Sequence, residues 1–173
     1  MTAPRPPDTD LPFLRGYAEP LLAQVRGLID TGRLGDYLAK RYPNRHQIQS
    51  DKALHAYVDD LRQRYLRRSQ RPDRVCYDSK LDVLHNALGL NTRQARVHGG
   101  RLQTRREIRI ASLFRDTAPE FLDMIVVHEL AHLRELEHNK AFYQLCEHML
   151  PGYGQLEFDL RLWLTWQALS PDT

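Results

Sequence analysis

The sequence predicts an α+β fold, rich in helices and carrying one small sheet. Helical spacing and helix-ending residues recur along most of the chain, whereas only Arg74–Asp78 and Glu107–Ala111 read as strands. The segment after Thr117 is so apolar in its upstream half that it reads as a central, buried helix.

The elements follow in order. Met1 to Pro12, rich in proline and aspartate, reads as a disordered leader. Residues 13–42 read as two short helices, punctuated by Gly32 and Gly35 and stopped by Pro43. Ser50 is an N-cap for a longer helix reaching to near Gln70. Its apolar positions, Leu54, Tyr57, Val58, Leu61 and Tyr65, keep helical spacing, and Pro72 ends it. The Arg74–Asp78 strand comes next. Leu81–Leu88 then reads as a helical turn or two closed by Gly89, and Gly99-Gly100 as a turn. Glu107–Ala111 alternates polar and apolar residues, as a strand with one solvated face does. Thr117 to Glu120 has the form of a capping box, with Pro119 in the first turn of the buried helix. A further helix runs from about Lys140 to Leu150 and stops at Pro151-Gly152. Leu156–Leu169, with Trp163 and Trp166, closes the chain as a last helix. The expected organisation is a leader over 1–12, a helical N-terminal region over 13–71 packed on the domain, and a domain over 72–173.

Among 173 residues, 42% are hydrophobic and 27% charged, an ordinary globular balance. Cys76 and Cys146 lie far apart in no metal-like spacing, which argues against a disulfide framework and fits a reducing compartment. The longest uninterrupted apolar run is Met124 to Val127, far short of a membrane span. The N-terminus lacks the apolar core of a signal peptide, so the expected location is the cytoplasm. The net charge of +3 is uneven. Residues 121–173 carry three Lys/Arg and eight Asp/Glu, a balance of −5, leaving 22 Lys/Arg against 14 Asp/Glu before them, or +8.

Chemistry concentrates in Val127-His128-Glu129-Leu130-Ala131-His132. Two histidines four apart on a helix project from one face at a rise of about 6 Å. At that separation both imidazoles can reach one zinc ion at about 2.0–2.1 Å. Glu129, beside the first histidine, is placed as general base toward a water on the metal rather than as a ligand. A catalytic zinc needs a third protein ligand, and His138 is the candidate. On an unbroken helix, six residues would carry it about 240° round from His132 and about 9 Å further along the axis. The chain therefore has to turn between about Arg134 and His138. Asn139 supplies the reason, as an N-cap for the next helix. The plainer alternative is an amphipathic helix with two surface histidines. It fits poorly with the apolar stretch upstream, because ionisable groups on a buried helix cost several kcal/mol without a partner.

Pro119-Glu120-Phe121-Leu122-Asp123-Met124-Ile125-Val126-Val127-His128-Glu129-Leu130-Ala131-His132-Leu133, followed by Glu137-His138-Asn139-Lys140-Ala141-Phe142-Tyr143, strongly resembles the YgjP-like metallopeptidases. The related WLM and SprT-like (Spartan-type) proteases share the first part, and the WLM group shares the His-Glu-x-x-His-x5-His spacing. The resemblance is sharp over about residues 105–165. It implies a zincin-like metallopeptidase domain with a small, mostly antiparallel sheet packed on the active-site helix. It also implies Zn2+ at His128, His132 and His138, catalysis by Glu129, and Glu107–Ala111 as the edge strand that aligns a peptide substrate. The chain departs from the family's pattern at His98-Gly99-Gly100-Arg101 and at Ala111, where a Gly-Ser-Cys-Ser-like stretch and an asparagine often stand.

The expectation is thus a zinc metallopeptidase acting on a peptide or protein. Two alternatives stand beside it: a zinc hydrolase of a non-peptide bond such as a nucleotide phosphoanhydride, and a DNA-associated, zinc-stabilised binding protein with little catalysis. The last draws on Arg62, Arg64, Arg67, Arg68, Arg71 and Arg74, a basic run able to meet phosphates, though a solvated helix end is the simpler reading. Tyr143, Tyr153, His98 and Arg161 are read as structural rather than as oxyanion-stabilising groups. His46, His55, His85 and His148 are read as ordinary histidines, and Cys146 as a small buried residue. Glu135 and Glu137 flank the third ligand as a solvated acidic turn.

Overall fold

The computed structural model describes residues 11–81, 97–98, 101–102 and 107–170. It divides into two compact units, Met1–Pro43 with Gln155–Thr173, and Asn44–Gly154. This differs from the boundary expected at 71–72. The long helix expected to end the N-terminal region packs against the strands' side of the chain, and the last helix shares a core with the first two. Residues 1–10 of the expected leader lie outside the described residues. Leu11 and Pro12 do not belong to a leader: Leu11 is buried, and Pro12–Leu14 form a 3-10 turn.

The first unit holds α1 (Glu19–Asp30), α2 (Leu34–Arg41) and most of α6 (Tyr153–Leu169). Leu11, Leu14, Leu22, Val25, Leu34, Leu38 and Leu162 form its core. Gly32, at φ +67°, closes α1: the Arg33 amide donates to the Leu28 carbonyl at 2.8 Å and the Gly32 amide to Ile29 at 3.1 Å. This is the Schellman arrangement, for which glycine is the favoured residue. Gly35 is not a second punctuation mark. It lies inside α2, where a Cβ would stand 2.8 Å from Trp166 Nε1. Asp159, fully buried, accepts from the Tyr42 hydroxyl and pairs with Arg41 at 3.5 Å.

The second unit holds α3 (Asp51–Tyr65), β1 (Arg74–Asp78), β2 (Val97–His98), β3 (Arg101–Leu102), β4 (Glu107–Ala111), α4 (Pro119–Ala131) and α5 (Lys140–Met149). Ser50 caps α3, accepting from the Ala53 amide at 3.0 Å. The helix ends at Tyr65 rather than near Gln70, because Leu66 turns inward and is buried. β1 and β4 form where expected, but they pair in parallel, with Val75 opposite Ile108 and Tyr77 opposite Ile110. The expected antiparallel sheet is therefore wrong for this pair. A parallel pair needs a crossover of about a dozen residues or more, and residues 79–106 supply the length. β2 and β3 form a separate two-residue antiparallel ladder. The expected turns at Leu81–Leu88 and Gly99-Gly100 fall, from residue 82 on, outside the described residues.

β1 packs on α3, and β4 packs on α4, which also meets α3 and α5. Nine of the thirteen residues of α4 are buried, among them Phe121, Leu122, Met124, Ile125, Val126 and Val127. Each such large apolar side chain contributes about 1.5–3 kcal/mol of burial. The capping box expected at its start is absent. Ala118 is the N-cap, and the Thr117 hydroxyl donates to the Phe114 carbonyl at 3.1 Å. That bond ties Thr117 to the preceding 3-10 turn, Ser112–Asp116, and Pro119 alone begins the helix. The Tyr57 hydroxyl donates to Asp123, linking α3 to α4. Burial raises both groups above their ordinary pKa values. Among the described residues no helix is long and apolar enough to cross a membrane.

Candidate metal centre

α4 carries its apolar face to its last turn and there becomes polar. His128 and His132, one turn apart, are 1% and 2% exposed. The helix stops at Ala131, with His132 as its C-cap, and the chain turns through residues 133–138. Asn139 restarts it: its side-chain oxygen accepts from the Phe142 amide at 2.9 Å, capping α5. The break required by the spacing of the three histidines is present, and the residue that encodes it is the one expected.

The consequence is a triangle of nitrogens. His128 Nε2 lies 3.3 Å from His132 Nε2 and 3.2 Å from His138 Nε2, and the last two are 3.1 Å apart. The Phe142 ring lies beneath all three imidazoles, with centroid distances of 5.0, 4.6 and 4.9 Å to His128, His132 and His138. Phe142 is fully buried.

The outward nitrogens of His128 and His132 are also held. His132 Nδ1 lies 3.0 Å from the Glu135 carbonyl oxygen. A carbonyl only accepts, so Nδ1 carries the proton and the neutral ring turns the Nε2 lone pair toward the triangle. His128 Nδ1 lies 2.8 Å from the Tyr153 hydroxyl, which can accept in the same way. Lone pairs converging in a buried site repel one another unless a cation sits among them. Three nitrogens bound to one tetrahedral zinc at 2.0–2.1 Å are about 3.3–3.4 Å apart. The observed edges lie close to that value, so the three residues fit a metal ion. Among the described residues they are the cluster able to hold one. Glu129 follows His128 on α4 and is half-buried.

Other residues singled out from the sequence lie elsewhere. His46 is structural: its Nδ1 accepts from the Ile48 amide at 3.0 Å, and Nε2 donates to the Phe114 carbonyl at 2.6 Å. His148 meets the edge of Tyr65. Arg161 donates to the Phe13 carbonyl and pairs with Glu157. Cys76 and Cys146 are both buried. Tyr143 is partly exposed, its ring 6.5 Å from that of His138. His85 and the side chain of His98 lie outside the described residues. In the arginine run, Arg62 and Arg71 both pair with Asp59 at 3.0 Å, and Arg64 pairs with Asp60 at 3.0 Å.

The Glu135 carbonyl is a contributor that sequence reasoning missed, and Tyr153, read there as structural, meets His128 in a way the sequence did not foretell. A backbone carbonyl leaves no trace in residue type. Tyr153 had one signal: a large aromatic directly after a Pro-Gly turn, able to be carried inward at the start of a helix.

Residues 34–162 match the model of a protein family described as YgjP-like, metallopeptidase domain. The chain is 58% identical over 162 residues to the UTP pyrophosphatase of Escherichia coli (strain K12), a match covering 94% of this chain and 97% of that protein. No solved structure matches the chain.

Proposed function

As a member of the YgjP-like family, to which this chain belongs, the protein is a hydrolase, and we propose that it is a zinc-dependent nucleotide pyrophosphatase acting on UTP or a similar nucleoside triphosphate. The observation that carries the substrate is the 58% identity, spread over nearly the whole of both chains, to a protein named for that activity. The observation that supports the metal is the triangle of Nε2 atoms.

Each residue then has a task. His128, His132 and His138 would hold the ion, with their Nδ1 sides turned outward. Zinc, when bound, supplies a concentrated positive charge that acidifies water and draws electron density from a phosphoryl oxygen. Glu129 takes a proton from the attacking water. The water oxygen forms a bond to phosphorus, one phosphoanhydride P–O bond breaks, and the departing pyrophosphate oxygen takes up the negative charge. One UTP and one water give one UMP and one pyrophosphate. The apolar α4 and the Phe142 ring keep the inner side of the site dry, which strengthens these charge interactions.

Peptide hydrolysis is the second reading. It is favoured by the family's description as a metallopeptidase domain, and by β4, which packs on α4 and among the described residues pairs with β1 alone. One assay separates the two. Zinc-loaded protein is incubated with UTP and, in parallel, with an unfolded protein. We expect UMP and pyrophosphate in equal amounts and no new peptide termini. Glu129→Gln should keep its zinc and lose roughly 10²–10⁴-fold in rate, the usual worth of a general base. Peptide cleavage without UTP turnover would replace the first reading with the second.

A further inference from the structure

We infer that Tyr153 is a positioning residue for the metal centre, and that Glu147 holds the turn that delivers it. The inference rests on the metal-hydrolase reading above and adds two residues to it.

The geometry begins with a turn. α5 ends at Met149, and a turn at Pro151-Gly152 leads to Tyr153, the first residue of α6. Gly152 has φ +86°, a backbone conformation that side-chain-bearing residues resist. Glu147, an exposed residue near the end of α5, reaches across this turn. One carboxylate oxygen accepts from the Gly152 amide at 3.0 Å and the other from the Gly154 amide at 2.9 Å. Between them, the Tyr153 amide donates to the Leu150 carbonyl at 3.0 Å. Three consecutive amides are therefore pinned, and Tyr153 sits in the middle of them.

Its side chain goes where a surface tyrosine would not. Tyr153 is 1% exposed, and its hydroxyl ends 2.8 Å from His128 Nδ1. Burying a phenol requires a partner for its hydroxyl, and that partner is a histidine whose other nitrogen faces the triangle. A histidine ligand keeps its tautomer and ring angle through the bond made by its second nitrogen. Tyr153 does this for His128, as the Glu135 carbonyl does for His132. α5 thus serves the centre from both ends. Its first turn follows His138 and carries Phe142, and its last turn carries the carboxylate that fixes Tyr153. The Glu147 carboxylate is otherwise an odd feature: an exposed acid that accepts two amides flanking one buried residue.

The test uses the full chain, stripped of metal and titrated with zinc against a chromophoric chelator. Tyr153→Phe keeps the ring and removes the hydroxyl. We expect zinc affinity to fall by roughly 10–100-fold, the usual effect of losing an outer partner of a ligand, while the metal-free protein stays folded and melts only a few degrees lower, roughly the cost of one lost buried hydrogen bond. Affinity within twofold of wild type would overturn the role of Tyr153. Glu147→Ala, at an exposed position, should weaken zinc by about threefold or more by loosening the same partner. An unchanged affinity would overturn the role of Glu147, and would decide the case for both residues if Tyr153→Phe failed to fold. Wild-type protein that takes up no zinc would instead overturn the metal reading beneath the inference.

Discussion

Two groups of polar side chains stand out in this sequence, and they are built on opposite principles. Around Asp59 the charges close on themselves. Its carboxylate meets Arg62 Nε at 3.0 Å, Arg71 at 3.0 Å and the Gln63 amide at 2.9 Å, and Arg62 also donates to the Ser69 carbonyl. Donors and acceptors of opposite sign satisfy one another. At the end of α4 the opposite holds: three side chains of the same kind point the same nitrogen at one another, and the second nitrogens of His128 and His132 are occupied elsewhere. A complementary cluster finishes the fold, whereas a cluster of like groups is finished by something from outside. The contrast, more than the number of charged residues in either place, is what separates a structural network from a candidate site.

The widest separation between the two should come from His138→Ala. This residue is the one histidine of the triangle that lies beyond the end of α4 and its C-cap, so its loss leaves two nitrogens of the triangle and little disturbance of the helix. We expect elemental analysis to find about one zinc per chain in wild type and a small fraction of that in the variant. UTP hydrolysis should fall to background, and a metal chelator should do the same to wild type. Retention of stoichiometric zinc by the variant would show that His138 is no ligand.

Much of the site could be read from the residues, because it depends on local rules. Two histidines four apart on a helix share a face. The third needs a break, and Asn139 is a capping residue at the position where a break has to end. What escaped prediction depends on partners distant in sequence. Tyr153 meets a histidine 25 residues away. Alternation marked β4 as a strand but carries no direction, so the parallel register with β1 was not legible. The Thr117 capping box failed because a hydroxyl can bond backward as readily as forward. α3 reads too long from the sequence because Pro72 is the first residue that forbids a helix, whereas the helix ends at Tyr65 and Arg62 donates to the Ser69 carbonyl beyond that end.

The closed network should give a smaller and different effect. Arg62→Ala removes one partner of a nearly buried carboxylate but leaves Arg71 and Gln63, so stability at pH 7 should fall by about 1–3 kcal/mol. Zinc content should not change. Burial by itself would push the Asp59 carboxyl up, but the Arg62 hydrogen bond, the Arg71 charge and the Gln63 amide hold it below the ordinary value. A depressed carboxyl contributes stability that is full above its unfolded value, about pH 3.9, and is lost as pH falls through the lower folded value. The gap between wild type and Arg62→Ala in urea unfolding should therefore narrow below about pH 4. A gap independent of pH would mean that Arg62 acts through packing alone.

The smallest effect tests the junction between fold and site. Asn139 belongs to no cluster, yet it ends the turn that brings His138 back to α4. Replacing a capping Asn by alanine costs about 1 kcal/mol of stability. If the cap only stabilises α5, Asn139→Ala should lower the unfolding free energy by that amount and leave zinc affinity alone. If it also sets where His138 enters the triangle, zinc affinity should fall as well, by up to about tenfold, since the same energy would then be drawn from binding. Asn139→Asp retains a capping oxygen and should recover both quantities. We expect both to fall in the alanine variant, because the residue after His138 cannot lose its cap on the Phe142 amide without widening the positions open to that histidine. A stability loss with unchanged zinc affinity would place the turn's rigidity in residues 133–137 instead.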